Sequence, residues 1–140
     1  MDNKDRKILD LLREDCRSTS KEIAEKLSMR PTTVHQRIVK LKRDGVIEKF
    51  TVKLNDKKMD EEFTAFMFIK TNPSSEISHR VFGDTHVKEV FGLTGEYDMM
   101  MKMKFSDVKE FNDFILDFRR RENVVSTVTM VATAKIKEDI

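Results

Sequence analysis

One cysteine, no long apolar run and no glycine-rich loop set the first limits on this chain of 140 residues. A lone cysteine cannot close an internal disulfide, and Cys16 falls at an apolar position of a helical pattern, so it reads as a small core residue and not as a reactive thiol. No segment approaches the roughly 20 apolar residues that cross a bilayer, so no membrane partner is expected. The opening Met1-Asp2-Asn3-Lys4-Asp5 has no apolar core of the secretory kind, which makes the cytoplasm the expected location. His35, His79 and His86 are scattered, no Cys/His pair has metal-ligand spacing, and the neighbouring acids Glu61-Glu62 read as a solvated turn. No catalytic centre, metal or cofactor is therefore expected.

The chain is, by contrast, rich in charge: 37% of its residues are charged and 39% hydrophobic, the balance of a globular protein with a heavily ionised surface. Its net charge of +2 conceals an asymmetry. Residues 1–54 hold 14 Lys+Arg and 9 Asp+Glu, and residues 55–140 hold 13 and 16. The first part is thus +5 and the second −3, which suits an N-terminal part that meets a polyanion and a C-terminal part that does not.

Three short helices are legible in that basic part. Asp2 can cap a first helix with Ile8, Leu9, Leu12 and Cys16 at helical spacing, ending near Arg17-Ser18. Thr19-Ser20-Lys21-Glu22 is a capping box for a second helix that turns Ile23, Ala24 and Leu27 inward. Pro31 suits the first position of a third helix, which runs to about Asp44 with Val34, Ile38 and Leu41 on its inner side and stops at Gly45. At 100° per residue the opposite side carries Thr32, Gln36, Val39 and Arg43, flanked by Thr33, His35 and Lys40. It offers hydroxyls, an amide, an imidazole and cations, and no carboxylate before Asp44. Thr32, Thr33, His35 and Gln36 can bond to base edges, and Arg30, Arg37 and Lys40 to phosphates. Two helices joined by a tight turn, the second with such a face, follow the helix-turn-helix plan for entering the major groove of duplex DNA. The run "VIEKFTVKL" after Gly45 alternates as a strand, which suggests a winged or linker-strand arrangement.

At this point the segment "IAEKLSMRPTTVHQRIVKLKRDGVIEKFTVKLN" resembles the DNA-binding region of the Lrp/AsnC, or feast/famine, transcriptional regulators. Arg37-Ile38, Leu41 and Gly45-Val46-Ile47 match that family's pattern in order. The family places a small hydroxyl residue before the proline, where this chain has Arg30.

Beyond the polar break Asn55-Asp56-Lys57-Lys58 the period changes from helix to strand. "FTAFMFIKT" alternates Phe63, Ala65, Met67 and Ile69 against Thr64, Phe66, Phe68 and Lys70. Asn72-Pro73-Ser74 can cap a helix with Ile77, Val81 and Phe82 inward. Strands at Val87–Leu93 and Met99–Phe105 flank the turn Thr94-Gly95-Glu96-Tyr97-Asp98. Ser106 can cap a helix carrying Val108, Phe111, Ile115 and Phe118, and "STVTMVATAKIK" alternates as a last strand. The order βαββαβ is the ferredoxin-like unit, in which both helices cover one face of a four-stranded antiparallel sheet. Its open face, apolar at Phe66 and Phe68, calls for a partner, and a second copy is the natural one.

The expected architecture is α+β: a helix-turn-helix domain over 1–45, a linker strand and hinge over 46–59, and a βαββαβ regulatory and oligomerisation domain over 60–140. This second half resembles the ligand-sensing domain of the same family, most specifically in Gly95, Tyr97, Asp98 and Met99, which match its G-x-Y-D turn. The resemblance implies a sequence-specific DNA-binding regulator that forms homodimers and assembles further into tetramers or octamers. It also implies that Thr94, Gly95, Glu96, Tyr97 and Asp98 lie where dimers meet around a small effector such as an amino acid. Exposed N–H groups of the turn could receive a carboxylate and Asp98 an ammonium. The competing reading is a ferredoxin-like sheet that binds RNA through Phe66 and Phe68, or a sensing and assembly protein without specific DNA binding. The −3 charge of this part and the absence of the K/R-G-F/Y-G/A-F motif weigh against RNA.

Overall fold

The computed structural model describes residues 1–139. It divides into two compact units, Met1–Lys53 and Leu54–Ile140.

In the first unit, α1 (Asn3–Glu14) begins with a reciprocal capping box: Asp2 accepts from the Asp5 amide and Asp5 from the Asp2 amide. It ends three residues before the expected Arg17, because Asp15 leaves the helical region while its amide still reaches Leu11 O. The helix α2 (Ser20–Leu27) carries the capping box of Thr19 and Glu22, and α3 (Pro31–Arg43) starts at proline with Arg30 in the cap position and no side-chain cap. Ile8, Leu12, Ile23, Ala24 and Val34 form the core, with Leu11, Leu27, Met29, Ile38 and Ile47 packed on its rim. Cys16 is half-buried and its Sγ lies 3.3 Å from Thr51 O. Residues 46–53 form no strand, so the expected linker strand is not made within one chain. A strand exists only by pairing, and this run finds no ladder partner; Val46, Phe50 and Val52 stay exposed.

The second unit opens with a 3-10 turn at Asp56–Met59, followed by β1 (Phe63–Thr71), α4 (His79–Phe82), β2 (Val87–Gly92), β3 (Met99–Phe105), α5 (Val108–Arg121) and β4 (Val124–Val131). The sheet is antiparallel in the order β2-β3-β1-β4. Because side chains alternate, the pairs Ala65–Met103, Met67–Met101 and Ile69–Met99 share one face. There they meet Ile115 and Phe118 of α5, with Phe111, Val81, Phe82 and Ile77 around them. Each fully buried Met or Ile of this layer contributes about 1.5–3 kcal/mol.

Two helix starts differ from expectation. The segment from Pro73 to Ser78 is turn and loop, leaving α4 only four residues long. Its polar groups are taken elsewhere: the Ser78 amide and hydroxyl donate to Glu122 at 3.0 and 2.6 Å, and the Ser75 hydroxyl donates to Asn123 O. At α5 the cap is Asp107, which accepts from the Glu110 amide, while Ser106 gives its amide and hydroxyl to the Glu110 carboxylate.

The other face of the sheet is split. At one end Phe66, Phe68 and Met100 are half-buried while Phe91, Val128 and Met130 are exposed. At the other end Lys102 and Lys104 anchor the chain's two ends within this unit. Lys104 Nζ lies 2.9 Å from both Asp56 and Glu138, Lys102 Nζ lies 2.7 Å from Glu138, and Lys135 also bonds Asp56. Lys104 is the one buried charged residue among those described. Burial works to lower its pKa, and the Glu138 and Asp56 carboxylates overcome that and raise it.

On the edge of the helix-side core, His86 stacks on Phe105 at 4.8 Å between two carboxylates, Asp84 at 2.7 Å and Glu110 at 3.0 Å. Burial opposes its protonation, but the Glu110 and Asp84 carboxylates prevail and its pKa is raised. Glu110 is held down at about 2, first by the Ser106 amide and then by His86.

Candidate nucleic-acid interface

The α2–α3 connection is three residues long. Ser28 takes the left-handed conformation (φ 52°, ψ 47°), and the Met29 amide returns to Ala24 O, closing the helix before Arg30 and Pro31 start the next. A serine fills a conformation that glycine would adopt more readily, so residue type alone hides this stop.

Inward, Val34 and Leu41 seat α3 on the core. Outward, Thr32, His35, Gln36, Val39, Lys40 and Arg43 are exposed, Thr33 is half-buried at the flank, and Arg30 stands exposed at the N-terminal end. His35, Gln36, Val39, Lys40 and Arg43 line one shallow depression. The first turn of α3 has no acid and its last turn carries Lys40, Lys42 and Arg43. Arg43 leans on Asp44 at 3.1 Å, an exposed pair that is weakly held. Lys42 is drawn back over the Phe50 ring, 5.6 Å from its centre.

Arg37, expected at a phosphate, is engaged within the unit: its Nη1 donates to both Asp2 and Asp5, each at 2.7 Å. Those partners lie 32 and 35 residues away in sequence, and the helical wheel of α3 could not reveal them. Asp2 is held down at about 2, chiefly by the Asp5 amide and then by Arg37.

In the second unit the turn between β2 and β3 has Gly95 at φ +114°, a conformation side-chain-bearing residues rarely adopt. Thr94, Gly95 and Glu96 are exposed, and Tyr97 is half-buried beside Phe68, with ring centres 6.0 Å apart. Asp98 is already engaged: its Oδ2 accepts from the Thr71 amide at 2.8 Å and the Thr71 hydroxyl at 2.9 Å. These bonds, the amide first, lower its pKa, and the nearby Lys70 charge adds to them. Its carboxylate thus ties the turn to β1.

Among the described residues no three His, Cys, Asp or Glu side chains converge as a metal would require, and no helix is long and apolar enough to cross a membrane.

Residues 1–48 match a winged helix-turn-helix DNA-binding model, and residues 64–140 match the Lrp/AsnC ligand-binding domain. The chain belongs to the Lrp/AsnC family. A relative from Pyrococcus furiosus, described as an uncharacterised HTH-type transcriptional regulator, is 42% identical over 99% of this chain and 95% of its own length. The crystal structure of an AsnC family transcriptional regulator from Agrobacterium tumefaciens superposes with a TM-score of 0.90 at 25% identity, over 99% of this chain and 94% of that one. A Neisseria meningitidis regulator, described in complex with L-Met, shares the fold with a TM-score of 0.89 at 24% identity, over 99% of this chain and 94% of that one. This Lrp/AsnC protein is accordingly a DNA-binding transcriptional regulator, of a family of regulators and not of enzymes.

Proposed function

We propose that the protein reads duplex DNA through the outer face of α3, as a homodimer or a larger assembly built from it, and that an amino acid modulates it at the Thr94–Asp98 turn. The observation that carries the DNA reading is the exposed, carboxylate-free face of Thr32, His35, Gln36 and Lys40, with Thr33 and Arg30 beside it. In this reading Gln36 and His35 bond to base edges, and Lys40 and Arg30 to phosphates.

Dimerisation is supported by the apolar half of the open sheet face, where Phe91 and Met130 are 50% and 57% exposed around Phe66, Phe68 and Met100. Large exposed apolar side chains gathered on one sheet face mark an association surface. The same face gives RNA little purchase, since Lys102 and Lys104 are neutralised by Glu138 and Asp56. For the effector, amino acids are the class to screen, methionine first because the Neisseria regulator is described in complex with it. Among the described residues no partner is seen for the N–H groups of Thr94 to Tyr97, and such groups at a glycine turn suit a carboxylate.

The test starts from sites selected out of a random duplex pool, with affinity measured at two salt concentrations. Gln36→Ala should lose about 1–3 kcal/mol of discrimination, and Lys40→Ala should weaken all sequences alike. Unchanged site preference in Gln36→Ala refutes this choice of reading face.

A further inference from the structure

The geometry points to Arg37 as a positioning residue for the DNA-reading helix, acting through the N-terminus of α1 and not through a phosphate. Four hydrogen bonds form a closed figure. Asp2 Oδ1 accepts from the Asp5 amide and Asp5 Oδ2 from the Asp2 amide, each at 2.9 Å. The remaining oxygens, Asp2 Oδ2 and Asp5 Oδ1, each accept from Arg37 Nη1 at 2.7 Å. The two carboxylates thus spend one oxygen on capping α1 and the other on α3.

Place in the sequence gives this figure its consequence. Arg37 follows Gln36 directly, lies one turn from Thr33 and Lys40, and its side chain is only 28% exposed. Apolar packing through Val34 and Leu41 holds α3 on the core but resists rotation about the helix axis weakly, because hydrophobic contact is non-directional. A guanidinium held by two oriented carboxylates is directional. It sets the azimuth at which Thr32, Thr33, His35 and Gln36 face outward. Its charge is also spent on two acids, so it adds no free cation to the face that meets DNA. The sequence alone counted Arg37 among the phosphate contacts, and the clasp reassigns it.

This inference rests on the DNA-reading role of α3, and the experiment separates the two. Affinity of the full-length protein for a selected site and for a random duplex is measured over a salt series. Wild-type protein must prefer the site, and equal binding to both would overturn the DNA reading and this inference together. Given that preference, Arg37→Ala should lose roughly tenfold in the ratio of site to random binding, the scale of one lost base contact. Its salt slope should match wild type, whereas Lys40→Ala should lower the slope by about 0.9. The pair Asp2→Asn with Asp5→Asn keeps acceptors for the caps but releases Arg37, and should lose the same discrimination. Arg37→Lys, with its charge but without the planar guanidinium that fixes the direction of Nη1, should recover only part of the ratio. A lowered slope in Arg37→Ala with the ratio intact, or uniformly tighter binding with a steeper slope in the double aspartate variant, would show a phosphate contact and overturn the proposal.

Discussion

Replacing Glu138 by glutamine removes one charge from the network on the open sheet face while keeping the shape of the side chain. In the folded protein the Glu138 carboxyl is held at about 2, first by Lys102 and then by Lys104, against an ordinary value of 4.5. That gap sets a ceiling of about 3.4 kcal/mol on what the charge contributes to stability at neutral pH. Glu138 is 16% exposed, but Lys135 nearby is 46% exposed and lets water in; with that screening we expect about 1–2 kcal/mol. A carboxyl whose folded pKa is depressed contributes in full above its unfolded value and fades as the pH falls towards its folded value. The deficit of Glu138→Gln should therefore be complete at pH 7, shrink below about pH 4.5 and vanish near pH 2. The protein supplies its own probe, since it has no tryptophan and Tyr97 is its only tyrosine. Tyrosine fluorescence during urea unfolding consequently reports the sheet unit alone. At fixed protein concentration the urea midpoint of the variant should fall by about 0.5–1 M at pH 7. A deficit of the same size at pH 3 and pH 7 would refute the electrostatic account and leave only the shape of the side chain.

Three further outcomes follow from other parts of the molecule. The raised pKa of His86 means its ion pairs contribute fully below pH 6.5 and are lost as the pH rises through the folded value; the sheet unit should lose up to about 1 kcal/mol between pH 5.5 and 8.5, and His86→Asn should flatten that slope in urea titrations. Gly95→Val should cost about 1–3 kcal/mol, read as a lowered melting temperature, and the cost is conformational because nothing lies within 4 Å of an added Cβ. Met130→Glu puts a charge in the middle of the exposed apolar half of the sheet and should shift the assembly towards monomer in light scattering, while an unchanged mass would place the subunit contact elsewhere.

How much of this was written in the sequence depends on how local its cause is. The Asp2 cap, the capping box of Thr19 with Glu22, the proline start of α3 and the strand Met99–Phe105 need only neighbours within a few residues, and each was legible. The uncapped Arg30 could be read the same way. Non-local partners could not. "VIEKFTVKL" alternates as a strand should, yet a strand needs a second strand beside it. The helix expected after Pro73 gives way to loop because Glu122, 44 residues on, claims the Ser78 amide. Arg37 looked like any cation on α3 until Asp2 and Asp5 were brought to it. One signal was available and missed: Met101-Lys102-Met103-Lys104 alternates within a strand, so two lysines had to point away from the core and needed acids to meet them.

The placement of β1 has a bearing on how the protein is made. It lies inside the sheet, between β3 and β4, and both neighbours are synthesised after it. Its pairing of Ala65 with Val131 must wait until nearly the whole chain has left the ribosome. The helical unit, by contrast, has its core complete once Ile47 has emerged. A nascent chain therefore carries a folded helical unit while β1 is still an unpaired strand with Phe66 and Phe68 bare. The helical unit can therefore fold well before the sheet, and the order of synthesis itself delays any association through the open face until the edges of that strand are sealed.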